Sequence, residues 1–564
     1  MTSRAELVTY GLLLVLLVSL PFEPIRPLVP LGLLNVNHIK LLEGAIAAVW
    51  VVSLLGPGSP DRLPRETWAG GLFLGVAILS ALLAQTHREE ALKFVGRLAT
   101  GVLVLLVVRQ LAQGKPDRIT GLLWAITVAA GASALLGLGE VAGLPWLEPV
   151  LQLFKLAPTR VGADLRLSAS FQYATIAAAF FELAAPLAIA LAVTQVHRGG
   201  WILASGIAVL CSVAVVLTLT RAGIGALAVA FALLIVLAWA RPRWRRLALP
   251  TVLAGVSGGV VLAGLGMRMS DFGSRFQTEN DWGWYAASYD VPATLTISAG
   301  GPIDAVVTAR NTGQVVWTAG GPQSFALAYR WLSADAASQL VMPATTFELP
   351  YDVAPGETVE VNVDVAARLP PGDYRLAWGM LQQHVLWFHD RGYPDAETLV
   401  HVIGNAAAAA QAVEVQPRDD LAVALPPVSR AELWGAALNM FRQHPLLGVG
   451  PDNFRHVYGT YLGLSTWDDR VHANDLYLEL FADVGVLGAI AFGILVGLPI
   501  TRVARASMRR PNRLRSLWLA GIAASLLAYF LHSSLDSFLD FTPVFLLFWA
   551  VLGLAAATAE LDSC

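Results

Sequence analysis

The sequence predicts an all-α polytopic membrane protein of about twelve transmembrane helices with one inserted domain of strands outside the lipid. Three observations lead there. First, 56% of the 564 residues are hydrophobic and 14% are charged, and the mean hydropathy is +0.60, a balance that soluble globular chains rarely show. Second, apolar runs of the length that crosses a hydrocarbon core recur along the chain. Third, a single long stretch between two groups of these runs switches to short alternating segments.

A hydrocarbon core of about 30 Å needs roughly 20 apolar helical residues. Such runs fall near residues 6–22, 40–56, 67–84, 92–112, 118–142, 172–194, 200–219, 222–240, 247–267, 474–500, 515–532 and 540–559. The first lacks a small-residue cleavage site, so it reads as a retained span and the mature chain is expected to start at or near Met1. Arg109, Lys115, Arg118, the cluster from Arg241 to Arg246 and the run from Thr501 to Arg515 share one side, which is cytoplasmic by the positive-inside rule. Both termini are then inside, and Arg166, Arg221 and the stretch from Arg268 to His472 lie outside. The formal net charge of −3 says little about partners, because the position of each charge matters more. Cys211 and Cys564 offer neither a disulfide framework nor a metal-ligand spacing.

Between Trp284 and Val402 the runs ATLTISA, AVVTARN, TVEVNVDVA and YRLAWGM alternate and are separated by NTG, APGE and PPGD turns, which predicts an antiparallel β-sandwich. The expected organisation is transmembrane helices 1–9 over residues 1–267, the β-sandwich over 284–404, a linker over 405–429, interfacial helices and a catalytic loop over 430–473, and helices 10–12 over 474–564. Asn311 to Trp317, with PGE at Pro355 and PGDY at Pro371, resembles immunoglobulin-like accessory domains. An accessory or docking role is expected of this domain.

Ser429 and Glu432 have capping-box spacing, so a helix is expected from Arg430. Trp434, Ala437, Leu438 and Phe441 would form its apolar stripe, laid in the membrane interface. The glycines of LLGVGPDNF permit an irregular backbone leading to Asn453 and Arg455. His472 falls at the outer mouth of the next span, on one helical face with Asp475 and Glu479 if the helix includes them. Arg97, costly in lipid, should face the bundle interior or a cavity. His532, Asp536 and Asp540 on the last outer loop are either structural or line an acceptor entrance, and His444 fixes the turn before Pro445.

Four segments together resemble the O-antigen ligase and polymerase family of lipid-linked glycan ligases, which includes protein O-oligosaccharyltransferases. They are Arg430 with Trp434 followed by NMFRQHPLLGVGPDNF, the start of the span at His472 to Gly488, LRLSASFQYATIAAAFFELAAPLAIAL from Leu165, and LTLTRAGIGALAVAF from Leu217. Two of them depart from the family pattern: H-x-H-N is here His472-Ala473-Asn474-Asp475, and N-x-N is Gln172-Tyr173-Ala174-Thr175. The resemblance implies a metal-independent glycosyltransferase without cofactor in a bacterial cytoplasmic membrane. It would move a glycan from a polyprenyl (undecaprenyl) diphosphate to an acceptor hydroxyl on the outer face, as in lipopolysaccharide or other cell-envelope polysaccharide biosynthesis. The expected partners are that donor, a lipid, glycan or protein acceptor and membrane lipid, with no nucleic acid.

Under this reading His472 and Arg221 are catalytic, the first as a base near neutral pH and the second as a fixed cation on the diphosphate. Arg430, Arg166, Gln172, Asn474, Asp475 and Arg455 are expected to bind substrate. No D-x-D pair or metal-ligand cluster is visible in the outer loops. Polymerisation of lipid-linked repeats and protein O-glycosylation stay open beside ligation. A transporter of the same lipid-linked sugars is the rival from another class, although the related halves it usually shows are not evident. A β-domain sensor or adhesin would need far fewer spans.

Overall fold

The computed structural model describes the chain apart from residues 1–3, 28, 32–33, 55–63, 241, 269–277, 279–280, 322, 335–339, 368, 384, 405–427, 509–512 and 562–564. The expected linker therefore lies almost entirely outside the described residues, as do Arg241 and Cys564. The chain divides into a helical unit, residues 1–159, 165–267 and 428–564, and a strand-rich unit, residues 160–164 and 268–427.

The helical unit runs through α1 (Arg4–Ser19), α2 (His38–Leu54), α3 (Arg65–Leu83), α4 (Arg88–Ala112), α5 (Pro116–Val141), the one-turn α6 (Glu148–Leu151), α7 (Ala174–Thr194), α8 (Arg198–Leu217), α9 (Arg221–Ala240) and α10 (Ala248–Arg268). After the strand-rich unit come α11 (Arg430–Gln443), α12 (Phe454–Leu462), α13 (Leu476–Met508), α14 (Arg513–His532) and α15 (Thr542–Ala559). Among the described residues, 11 helices are long and apolar enough to cross a membrane. The twelfth expected run is α2, whose 17 residues fall just short of them. Its rise of about 1.5 Å per residue gives roughly 26 Å, close to the hydrocarbon thickness.

Burial sorts these helices. Nearly every residue of the alanine-rich α7 is buried, and α7 packs against α5, α8, α9 and α14. Small side chains let neighbouring backbones approach in the absence of a hydrophobic driving force between helices. Helix α15 is likewise buried and packs against α4, α13 and α14. By contrast α10 and α3 keep large apolar residues such as Val260 and Trp68 exposed, as a lipid-facing helix would.

At one end of the bundle charges are neutralised in a closed network. Glu66 at the start of α3 is fully buried and meets Arg109 of α4 at 3.4 Å and Arg502 of α13 at 3.0 Å. Glu560, just past α15, joins the same two arginines. Lys115 and Arg118 pair with Glu6 in the same way. Thus several cations that define the orientation also tie helix ends together.

Within residues 268–427 of the strand-rich unit the described strands are β1 (Ala287–Asp290), β2 (Thr294–Ser298), β3 (Pro302–Asn311), β4 (Phe325–Ser333), β5 (Leu340–Glu348), β6 (Thr358–Ala366), β7 (Gly372–Gln382), β8 (Leu386–Trp387) and β9 (Ala396–Ile403). They form a three-stranded sheet, β6-β3-β1, and a six-stranded sheet, β2-β9-β7-β4-β5 with β8 paired to β7. The expected antiparallel pairing holds except between β9 and β2, which run parallel from Leu399↔Thr294. The two sheets are bridged by side chains: the Tyr289 hydroxyl of β1 accepts from the Met380 N–H of β7 at 2.9 Å. Trp317, Trp331 and Trp378 are fully buried. Asn311 explains the NTG signal, because its amide donates to the Val315 and Val353 carbonyls and its oxygen accepts from Gly313. It fixes the turn that delivers Trp317 to the core.

Candidate functional site

The site is built where α13 breaks. Gly485 interrupts that helix at φ 63°, ψ −170°, a conformation only glycine takes readily. The segment Pro445–Asp452 lies across the break, its Leu446 backbone so close that a Cβ on Gly485 would stand 2.4 Å from the Leu446 carbonyl carbon. Gly448, at φ +67°, makes the reciprocal approach, since a Cβ there would stand 2.3 Å from the Asp483 carbonyl carbon. Backbone groups freed by the break are taken up across this contact: Val486 N–H donates to Pro445 O at 2.8 Å, and Val449 N–H to Ala482 O at 2.9 Å. Buried Asp483 then accepts from the Asp452 and Phe454 amides at 2.8 and 2.9 Å. The glycines of LLGVGP therefore serve a backbone-to-backbone contact that fixes Asp452.

Helix α11 starts at Arg430 as expected, with Ser429 and Glu432 forming the capping box. Its buried face differs from the expected stripe. Leu433, Ala436, Ala437 and Met440 are buried against Phe454, Tyr458, Ala473 and Ala482, whereas Leu438 is 40% exposed. The helix is rotated because its hydrophobic partner is the α12–α13 region of the protein itself, and Phe441 is left to stack edge-on with Phe481 at 5.3 Å.

His472 precedes α13, so it does not share a helical face with Asp475 and Glu479. Asp475 instead caps the helix, accepting from the Tyr477 and Leu478 amides at 2.9 Å. Asn474 turns the chain with φ +51°. This turn folds His472 back onto Glu479, whose Oε1 stands 2.7 Å from Nδ1 while Oε2 accepts from the Ala473 amide. The other ring nitrogen, Nε2, stands 3.0 Å from Asp540 Oδ2. Burial alone would lower the imidazole pKa, but Glu479 and Asp540, with Asp452 beyond, carry it up to about 10. At neutral pH His472 is an imidazolium held between carboxylates.

Around this group opens a cavity of about 780 Å³. Arg455, one of the expected binding residues, lines it and grips both oxygens of Asp452 at 2.8 Å. Burial pushes the Asp452 carboxyl up to about 6, Asp540 adding to the rise and Arg455 opposing it. Arg97 also lines the cavity and donates to the Leu539 and Asp540 carbonyls at 2.8 and 2.6 Å and to Thr542 Oγ1 at 3.2 Å. That is the partner its sequence position left open. Lys40, Lys93 and Arg470 add further cations to the wall. Gln172 lines this cavity and a smaller one of about 260 Å³, and Asp540 does the same.

Arg221, Arg166 and Arg430 line neither cavity. Arg166 donates to Thr218 O and Thr220 Oγ1 at 2.8 and 3.0 Å, securing the turn that precedes Arg221. Two residues into α9, Gly223 leaves a Cβ only 3.3 Å from His532 Cε1 and from Glu182 Oε2. His532 and Glu182 form a fully buried pair at 3.0 Å. The charge of Arg430 is felt at Asp536, as is that of His472. Asp540, read as either structural or lining an acceptor entrance, and Arg97, read as facing the interior or a cavity, both line the cavity, whereas Asp452 was not singled out and its only sequence signal is a charge near a span.

Asp452, His472 and Asp540 bring ligand-type atoms within 4.8 Å of one another, the only such group among the described residues. Arg455 already occupies both Asp452 oxygens and the imidazole already meets Asp540, so the three are satisfied as an ion-pair cluster.

The fold and the site define a mostly helical chain with many membrane-length helices and a charged cavity at a broken helix. Residues 402–493 match the family model of O-antigen ligase (Wzy_C), which shows the O-antigen ligase resemblance over the segment that carries α11, Asp452, Arg455, His472 and the break in α13. No curated protein matches the chain. A solved structure of the Pseudomonas fluorescens alkylpurine DNA glycosylase AlkC bound to DNA containing an abasic site analog aligns at 10% identity, covering 60% of this chain and 97% of that one. Its TM-score of 0.15 carries no argument.

Proposed function

We propose that the protein transfers a glycan from a polyprenyl diphosphate to an acceptor hydroxyl, without a metal, at the His472 cavity. The observation that carries this reading is a buried imidazole–carboxylate group on the wall of a charged cavity, with His472, Asp452, Arg455 and Arg470 inside the segment matched by the ligase family. In the reaction the acceptor oxygen bonds to the anomeric carbon, the bond from that carbon to the phosphate oxygen breaks, and the diphosphate leaves with the electron pair. The hydroxyl proton goes to Asp540, because both nitrogens of His472 already face carboxylates. His472 acts on the acceptor through Asp540, holding that carboxylate in place from Nε2 at 3.0 Å. Arg455 and Arg470 on the cavity wall are the cations for the diphosphate, whereas Arg221 and Arg430 line neither cavity. Arg166 secures the turn before Arg221, Gln172 faces the sugars, and Asn474 and Asp475 shape the turn that presents His472.

Purified protein in nanodiscs, given a polyprenyl diphosphate glycan and hydroxyl acceptors, should yield the glycosylated acceptor and free polyprenyl diphosphate by mass spectrometry. Passage of intact donor across the bilayer with no new bond would return the protein to the transporter reading. The cationic asymmetry supports a reading in which the site and the strand-rich unit face outward from a bacterial cytoplasmic membrane. A cysteine introduced at Gly320 should then be labelled by an impermeant reagent in intact cells, and one at Arg243 should not. The reverse pattern would invert the topology.

A further inference from the structure

Residues 171–173 form a stretch of cavity wall: Phe171 lines the smaller cavity, Tyr173 the larger and Gln172 both. Just before them Ala169 takes a left-handed backbone at φ +50°. A residue with a Cβ adopts that conformation at a cost, and keeps it only where its surroundings over-determine it. Glu140 of α5 supplies the constraint. Its Oε2 accepts from the Ala169 amide at 2.7 Å and from the Ser168 amide at 3.2 Å. Its Oε1 pairs with Lys155 Nζ, which also donates to Ser168 Oγ at 2.7 Å. The Glu140 and Lys155 side chains are only 4% and 5% exposed. The turn fixed in this way ends at the wall itself, because the Phe171 N–H donates to Ser168 O at 2.9 Å.

We infer that Glu140 is a positioning residue for the cavity wall: it holds Ala169 in its left-handed conformation and thereby aims Gln172. This rests on the transfer reading above and adds to it a residue that lines neither cavity. Helix chemistry alone gives no reason for a carboxylate here. Glu140 sits in the last turn of α5, where the helix dipole disfavours negative charge. A buried ion pair is also weak as a source of net stability. The geometry suits a different task. Two successive backbone amides converging on one oxygen form a concavity that an anion fills best, and filling it dictates the backbone at Ser168 and Ala169. Lys155 holds the carboxylate ionised in its buried place and ties the Ser168 side chain to the same point. Ser170 Oγ, 2.8 Å from Ser133 Oγ of α5, secures the next residue along the turn.

The test uses the full chain in nanodiscs. Glu140→Gln keeps the size of the side chain but not its charge, and should lower kcat/KM for transfer about tenfold or more, as a displaced positioning group does. Adding Ala169→Gly should restore most of that activity, because glycine takes a positive φ without outside help. A variant that only weakened the fold would lose activity independently of Gln172. Glu140→Gln should instead cause almost no further loss once Gln172 is replaced by Ala. Hydrogen exchange gives a readout that needs no transfer: the amides of residues 171–173 should exchange about tenfold faster in Glu140→Gln and slow again with Ala169→Gly. If Glu140→Gln does not fold, Glu140→Gln with Lys155→Met, which leaves no buried cation unpaired, carries the same test. Losses that add to those of Gln172→Ala, or wild-type exchange at residues 171–173 in the variant, would overturn the inference with the transfer reading intact. Wild-type protein that forms no bond, with the exchange responding as expected, would remove the transfer reading and leave Glu140 as the residue that shapes the wall.

Discussion

Replacing His472 by Ala should lower turnover about a hundredfold or more while leaving donor affinity nearly unchanged, the scale on which a positioned proton-transfer group acts. The reason lies in its two contacts. With Glu479 at 2.7 Å on Nδ1 and Asp540 at 3.0 Å on Nε2, the ring is the positive centre of a row of carboxylates. Without it Asp540 and Glu479 lose the partner that aims them, and of the three neighbouring carboxylates Asp452 keeps its Arg455 contact. Asp540→Asn should cause a similar loss. The double variant should be scarcely worse than either single one, because residues that act as a unit are not additive. Additive losses would separate the two roles, and near wild-type turnover in His472→Ala would remove the pair from the mechanism. The pH dependence has a definite sign. The folded-state pKa of His472, about 10, lies above its ordinary value of about 6.5. Its contribution to stability is therefore fully present below about pH 6.5 and is lost as pH rises through about 10. No fall in activity near pH 6.5 is expected from this residue.

Glu66→Ala should give the largest loss of stability in the bundle, about 3–5 kcal/mol, the usual range when one partner of a buried ion pair is deleted. Glu66 is wholly buried, and its carboxylate serves Arg109, itself only 8% exposed, and Arg502. Removing it leaves Glu560 alone to balance two guanidinium groups drawn from α4 and α13. Glu560→Ala should cost less, since that side chain is 27% exposed and water can take its place. Thermal unfolding of both variants in detergent provides the measurement. An unchanged midpoint for Glu66→Ala, or a larger drop for Glu560→Ala, would show that the network does not hold these helix ends together.

Much of the architecture was legible in the sequence because lipid imposes a one-dimensional rule. A span must be a long apolar run with its backbone paired internally, and α4, α7, α9 and α15 lie within a few residues of the runs that announced them. Local rules read equally well. The Ser429–Glu432 capping box starts α11, and the NTG turn at Asn311 leads to buried Trp317. The rotation of α11 was not legible, because which of two apolar faces is buried depends on what stands opposite, and Phe454 and Ala482 are distant from Leu433 in the chain.

The sequence by itself determined the membrane class, the separate strand-rich unit and the kinds of residue suited to a diphosphate and a hydroxyl. Only the tertiary structure decided which of them meet. It set Asp475 as a helix cap and brought Asp540 and Arg97, both far from His472 along the chain, to the same cavity. It also left Arg221 and Arg430 off the walls of that cavity. The physical reason is that periodicity and capping act over a few residues, whereas an ion pair requires two charges within about 4 Å, and no pattern along one strand of sequence records that distance.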